Sequence, residues 1–469
     1  MKSKTAHLLS SLFVLLLSFA CEKEQGMSVD LSEEEMSGGA NFTTFDFSGN
    51  AFGGQGKALS REESRLFVAG NALFKNNWVA APASVESLDG LGPIYNATSC
   101  GSCHFKDGRA APPDEFAVAK SGLLWRLNID GKSALRGAAV SHTTYGGQIQ
   151  DQAILKVRPE AKVNITYQEI VGKYADGTTY RLQKPIYELA DLAYGKIEQS
   201  YQLSPRIATH LAGIGLLESI SEKDILANED INDDDKDGIS GKANYVWNVK
   251  EETNTLGRFG WKANQPNITQ QNAGAFNGDM GLTSSFFPED VFTPEQEKQN
   301  PNLLNGGDPE VSDEQLFRIS LYVQALAVPA KRNMDTPKYQ VGRELFMKIG
   351  CESCHKASFT TQTGNVISSL DKQKIYAYTD LLLHDMGEGL ADNSPDFEAT
   401  GSEWRTAPLW GIGLIKTVNN HTRLLHDGRA RNVEEAILWH GGEASQTTEK
   451  FKQLNKDERD ALIFFVNSL

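Results

Sequence analysis

The sequence predicts a mainly α protein of two related helical units, the first enlarged by a small β-rich insertion at about 122–190. Three observations predict it. A helical segment, a Cys-x-x-Cys-His motif and a closing apolar helix occur in that order twice. The interval from motif to closing helix is 210 positions in the first unit (His104 to Glu314) and 103 in the second (His355 to Glu458), so about 107 residues are extra. Those extra residues carry strand-like runs.

Each element follows from its local pattern. Lys2 and Lys4 precede the apolar run Leu8 to Ala20, and Cys21 follows directly. This is the pattern of an export signal, and the run is too short to span a bilayer. Leu17-Ser18-Phe19-Ala20-Cys21 resembles a bacterial lipobox, which implies a lipoprotein signal at 1–20 and a lipid on Cys21. The Ser-, Gly- and acid-rich stretch 21–58 reads as a solvated tether. The first unit spans 59–335. It opens at Ser60-Arg61-Glu62-Glu63, a capping-box pattern, with Leu66, Phe67, Leu73 and Phe74 at helical spacing behind it. The runs Leu123–Leu127, Val163–Tyr167 and Thr178–Leu182 are strand-like, and Asp176-Gly177 marks a hairpin turn. Ser312 to Ala327 closes the unit. The second unit, 336–469, repeats the order with Val341, Leu345 and Phe346, then Cys351, then a last helix entered through Asn455 and Glu458.

The chain has 469 residues, 40% of them apolar, enough to bury real cores. Its 46 basic against 61 acidic side chains give a net charge of −15, which argues against nucleic-acid binding. It suits a cationic protein partner or a small substrate. Five cysteines are too few for a disulfide scaffold at this length.

Four of those cysteines form Cys100-Gly101-Ser102-Cys103-His104 and Cys351-Glu352-Ser353-Cys354-His355. Two thiols three positions apart can add to the two vinyl groups of one haem, and the adjacent His then reaches the iron. A shared Cys₄ zinc site would not need a His after each pair. A dithiol redox enzyme would want a βαβ setting, and structural disulfides leave both histidines unexplained. The motifs therefore read as attachment sites of two covalent c-type haems, with His104 and His355 as proximal ligands. For a ligand on the second iron's other face, His440 is the best placed. Asn432-Val433-Glu434-Glu435 opens a short helix, and Val433, Ala436, Ile437 and His440 share its inner face. A His capping a helix C-terminus is the competing reading.

Leu425-His426-Asp427-Gly428-Arg429-Ala430, running on to Leu438-Trp439-His440-Gly441-Gly442, resembles the C-terminal haem domain of bacterial di-haem cytochrome c peroxidases. His384-Asp385-Met386-Gly387, Glu403 to Leu409, Gly238 to Gly241 and Gly257 to Ala263 are similar to the di-haem oxidoreductase branch of that superfamily. The resemblance covers about residues 60–469 and implies two cytochrome c-like domains. It implies a peroxidase-like enzyme that passes electrons from the C-terminal haem to a reactive N-terminal haem. It places His440, fourteen positions after His426, where the family usually has a Met ligand. It implies Trp261 between the haems, Gln271 in the peroxide pocket and Asp279 as its acid. It also implies calcium at Asn244, and the alternating Asp233, Asp235 and Asp237 before Gly238 resemble the opening of a calcium loop. The family's displaceable His has no counterpart, since Lys236 stands there; His142 and Tyr145 are the candidates to replace it. The implied partners are peroxide or another redox substrate, a redox protein such as a small cytochrome, and the membrane through the lipid. The implied location is the periplasmic side or cell envelope. An electron-transfer protein without turnover is the alternative, and a thiol–disulfide enzyme the third reading.

Overall fold

A computed structural model describes residues 31–113, 122–132 and 137–469. The signal at 1–20 and Cys21 lie outside the described residues.

Two crossed helix pairs organise the chain. Arg61–Lys75 packs on Asp313–Gln324, and Pro337–Ile349 packs on Lys456–Ser468. Their starts are set by side-chain caps. The Ser60 hydroxyl accepts from Glu63 N at 3.1 Å while Ser60 N donates to the Glu63 carboxylate at 2.7 Å. Asn455 and Glu458 repeat this exchange at 3.0 and 2.9 Å. Both pairs cross at a glycine. A Cβ on Gly70 would sit 2.2 Å from Arg318 O, and one on Gly342 would sit 2.1 Å from Ala461 O. Beside each crossing lies an aromatic contact with 5.3 Å between ring centroids, Phe74–Tyr322 in one pair and Phe346–Phe465 in the other.

The mainly α expectation is corrected by the structure as a whole, which is 31% helix and 20% strand. Seven small sheets occur among the described residues, six of two strands and one of three. The longest strands, Lys162–Lys173 and Thr179–Ala190, form a 12-residue antiparallel hairpin. Leu123–Lys132 lies between Ala139–Val140 and Tyr201–Ile207. The hairpin turns at Asp176-Gly177, where Gly177 has φ +83 and the Asp176 carboxylate accepts from Thr178 N at 2.9 Å. Elsewhere the strands are two to four residues long, tying loops together across the chain, and too short to leave an alternating pattern.

Residues 31–58 are also unlike the solvated tether read from composition. Phe42, Ala51 and Phe52 are fully buried. Thr43 pairs in parallel with Val328, and Ala330 N donates to Thr44 O at 2.8 Å. Three apolar side chains and one buried acid, Glu34, outweigh the Ser and Gly content.

Candidate functional site

The two Cys-x-x-Cys-His motifs sit in matching surroundings. Each follows its unit's first helix and turns so that the His leaves the helical path. His104 Nδ1 lies 2.7 Å from Thr209 O, and His355 Nδ1 lies 2.9 Å from Tyr378 O. Nδ1 therefore carries the proton in both rings, and Nε2 is left as a lone-pair donor. Phe74 stands 6.2 Å from the His104 ring at 50°, and Phe346 stands 6.3 Å from the His355 ring at 56°. No disulfide joins the four motif cysteines. Burial pushes Cys100 and Cys351 up to about 12, so neither is a thiolate at neutral pH. That weighs against a dithiol exchange enzyme, whose attacking thiol needs a depressed pKa.

His440 is brought to the second motif. The helix Val433–Trp439 begins where the side-chain Oδ1 of Asn432 accepts from Glu435 N at 2.9 Å. His440 follows at its end, with Nδ1 2.6 Å from Ala436 O. One cavity is lined by Cys351, Cys354, His355 and His440 together, with Val433, Ala436 and Ile437 beside them. Its other walls are mostly apolar, among them Phe346, Leu390, Leu424 and Leu462, the lining expected of a cofactor site. Burial lowers the pKa of His440 and takes His355 down to about 4, so both imidazoles are neutral and fit to bind a metal. The same wall carries two orphaned ring nitrogens, His210 Nδ1 and His426 Nε2, buried without a hydrogen-bond partner. Arg109 and Arg405 line it too. An apolar cavity lined by two imidazoles and two thiols, with a cationic, donor-capable edge, fits a porphyrin with its two carboxylates.

Around this cavity lie groups that periodicity alone did not reveal. His384 is clamped between carboxylates, Nδ1 2.7 Å from Glu443 and Nε2 2.9 Å from Asp380. Burial pulls its pKa down, but Asp380, Cys354 and Glu443 outweigh that and hold it well above the usual value. It is an imidazolium beside Cys354, whose sulfur lies 3.6 Å from Nδ1. Trp404 stacks on His426 with 3.8 Å between centroids, and the Lys262 ammonium stands 4.5 Å from the Trp404 ring.

Trp261 reaches the cavity wall. Its Nε1 donates to Ile207 O at 2.8 Å, and the Arg109 guanidinium lies 5.3 Å from its ring. Two residues further on, Thr209 O holds His104, and His210 lines the second cavity, so the segment 207–210 connects the first motif with that cavity.

The first motif has different company. Asp279, near the end of the helix Ile268–Met280, raises the pKa of Cys100 through its charge, after burial. Burial raises Asp279's own pKa, against the Arg126 charge and a hydrogen bond from Gln148. That bond, Gln148 Nε2 to Asp279 Oδ1, is 3.0 Å. Gln271 lies eight positions earlier on the same helix, about 12 Å along its axis. The structure thus pairs Asp279 with Gln148 rather than Gln271, and the buried glutamine at the helix start is Gln270, bonded to Val249 N and Trp247 O. His142 spends Nδ1 on Thr144 N and Tyr145 N, at 3.0 and 3.2 Å, and Tyr145 donates to Gly195 O at 2.6 Å. His142 is thus tied to its own loop and Tyr145 to the segment Tyr194–Gly195. Lys236 is exposed.

The acidic loop converges through Asp230, Asp233 and Asp235, whose carboxylate oxygens lie within 4.8 Å of one another. Asp237 instead accepts from Ile239 N at 2.8 Å. Asn244 is buried and fully engaged, donating to Lys262 O and Asp396 O at 2.7 and 3.1 Å and accepting from Glu398 N at 2.9 Å.

Gln148, Arg126, His210, Asp380 and Glu443 were not singled out from sequence. Each arrives from a segment distant from the motif it serves. Only the β-insertion's position directly after the first motif signalled that its side chains could reach that site.

Comparison with known proteins adds three findings. A family model described as "Di-haem oxidoreductase, putative peroxidase" matches residues 31–469. No curated protein matches. A solved chain of hydrazine synthase from Kuenenia stuttgartiensis aligns over 99% of this chain and 100% of its own, at 12% identity and a TM-score of 0.32, a likeness too weak to carry an argument.

Proposed function

The chain belongs to the di-haem oxidoreductase family, and from that premise we propose an exported, lipid-anchored peroxidase-like enzyme carrying two covalent c-type haems, one at each motif. One observation carries the reading: the two sites are unequal. The second offers two neutral imidazoles, His355 and His440, to one cavity. The first offers His104 together with a buried acid and an amide, Asp279 and Gln148.

Bound haem supplies one-electron chemistry and, where one face is open, a place for peroxide. The residues supply the rest. His355 and His440 close the second site, which suits electron storage. Trp261, with Ile207 to His210, links that cavity to the residue holding His104. Asp279 receives and returns a proton at the first site as general acid and base. The acidic surface suits a cationic redox protein as electron donor, and the acidic loop at Asp230, Asp233 and Asp235 is proposed to take calcium. Among the described residues no helix is long and apolar enough to cross a membrane; attachment is proposed at Cys21.

The test is the ferric spectrum of the purified holoprotein, with mass spectrometry to count covalent haems. One low-spin and one high-spin centre are expected, the second converted by cyanide and reactive with peroxide. Free thiols at the four motif cysteines after export would overturn the haem reading. Two low-spin centres indifferent to cyanide and peroxide would favour an electron-transfer protein.

A further inference from the structure

The β-rich insertion contributes to the first site, and the hydrogen bonds fix how. Asn96 Nδ2 donates to Ile149 O at 2.9 Å and to Asp151 at 3.0 Å. Two acceptors on that side orient the Asn96 amide, so its Oδ1 faces Gln148. Gln148 Nε2 shares its two hydrogens among this oxygen at 2.7 Å, Gly278 O at 2.9 Å and Asp279 Oδ1 at 3.0 Å. A flipped Gln148 would set its oxygen against three acceptors. The nitrogen side is thereby assigned, and Gln148 Oε1 points away from them.

That oxygen is buried and has no hydrogen-bond partner, on a residue only 5% exposed. A buried acceptor left unpaired costs about 1–3 kcal/mol, and such a group in a native structure calls for an explanation. A Cβ on Gly278 would stand 4.0 Å from it and would meet nothing nearer, so the glycine leaves that side of the oxygen open. The adjacent carboxyl of Asp279 has Oδ1 committed to Gln148, which leaves Oδ2 as the proton site.

The geometry points to Gln148 as the positioning residue of the first site: it fixes Asp279 so that Oδ2 holds the proton, and its Oε1 receives an O–H of the substrate. This rests on the peroxidase reading and narrows its substrate. Gln148 Oε1, and Asp279 Oδ2 while the carboxylate is ionised, give two acceptor positions, one for each O–H of hydrogen peroxide. An alkyl hydroperoxide has one and can satisfy only one of them. The bound peroxide gives one proton to the Asp279 carboxylate and keeps its O–O bond in this step. No electron moves.

The experiment compares wild type, Gln148→Leu and Gln148→Glu as full-length holoproteins. The Gln148 hydrogen bond lowers Asp279's pKa, so its removal raises that pKa. The carboxylate base is then lost at a higher pH. The acid limb of the peroxide rate profile should move up in pH in Gln148→Leu, and further in Gln148→Glu, where a second carboxylate adds like-charge repulsion. The rate with hydrogen peroxide at neutral pH should fall about tenfold or more, against the ~10²–10⁴-fold that a positioned acid–base group contributes. The preference for hydrogen peroxide over cumene hydroperoxide should narrow in Gln148→Leu. A second readout does not depend on turnover: the infrared carboxyl band of isotope-labelled aspartate, assigned by its loss in Asp279→Asn, should persist to higher pH in both variants. If the band, acid limb and preference all stay at wild-type values, Gln148 does not position Asp279. If the band moves but wild type ignores peroxide, the peroxidase reading falls with the receptor role of Oε1, while Gln148's hold on Asp279 stands.

Discussion

His440 and Asn244 show how one side chain's hydrogen bonds separate a ligand from a structural group. His440 ties one nitrogen to Ala436 O and keeps the other toward the cavity. Replacing it with Ala should open the second site, adding one cyanide-binding centre and converting the low-spin signal to high-spin, with both haems still attached by mass. An unchanged spectrum would remove His440 as a ligand. Asn244 has its amide spent on three main-chain partners. Its replacement by Ala strands buried groups at a cost of about 1–3 kcal/mol each, so urea unfolding should show a loss of several kcal/mol. Calcium should act through Asp230, Asp233 and Asp235 instead. A chelator-induced fall in Tm should therefore survive in Asn244→Ala, and its disappearance there would make Asn244 a ligand after all.

The element scale is decided at the helix crossings. Alanine would favour the helix over glycine by about 1 kcal/mol. At Gly70 and Gly342, however, the new methyl meets a backbone carbonyl near 2 Å, which a side-chain rotation cannot relieve. Overpacking of this kind costs about 1–3 kcal/mol, so Gly70→Ala and Gly342→Ala should each lower the urea midpoint despite better propensity; a gain in either would mean that the pair slides apart cheaply. These elements were legible in the sequence because each carries a cap and a period of 3.6, and each unit's first helix is followed by a motif. The Ser60 and Asn455 caps are where the capping pattern put them. The turn at Asp176-Gly177 was legible for the same reason, as local chemistry. The two-residue strands were not: Thr43–Thr44 is a strand only because Val328–Pro329 lies beside it. The site divides likewise. His104, His355 and His440 follow from spacing. Gln148 and Arg126 depend on how the insertion folds back over the first motif, which no local pattern records.

At the scale of the whole molecule, the segment 31–58 is the clearest case of composition misleading. It reaches residues of both units. Phe52 stacks on His210 at 5.0 Å beside the second cavity, and Asn41 Nδ2 donates to Ser369 O at 3.0 Å. Its strongest tie is Glu34, 3% exposed, whose two oxygens take Lys331 at 3.1 Å and Arg343 at 2.9 Å. Lys331 is itself 2% exposed, and burial brings its pKa from 10.5 to about 8 even with Glu34 opposing. A lysine whose folded pKa lies below its unfolded one holds its proton less tightly when folded. Wild-type stability from this group therefore rises as pH climbs from about 8 to 10.5 and is flat below that window. Glu34→Ala leaves Lys331 buried and unpaired, which costs about 3–5 kcal/mol. It also lowers the folded pKa of Lys331 further, because the opposing charge is gone. The variant should therefore be weakest at pH 7 and below, and should recover stability from a lower pH than wild type, since the neutral amine needs no counter-charge. Thermal unfolding of both proteins from pH 6 to 10 measures this. A deficit that stays constant across that range would mean Lys331 escapes to water without Glu34, and that this segment holds the body by its apolar contacts alone.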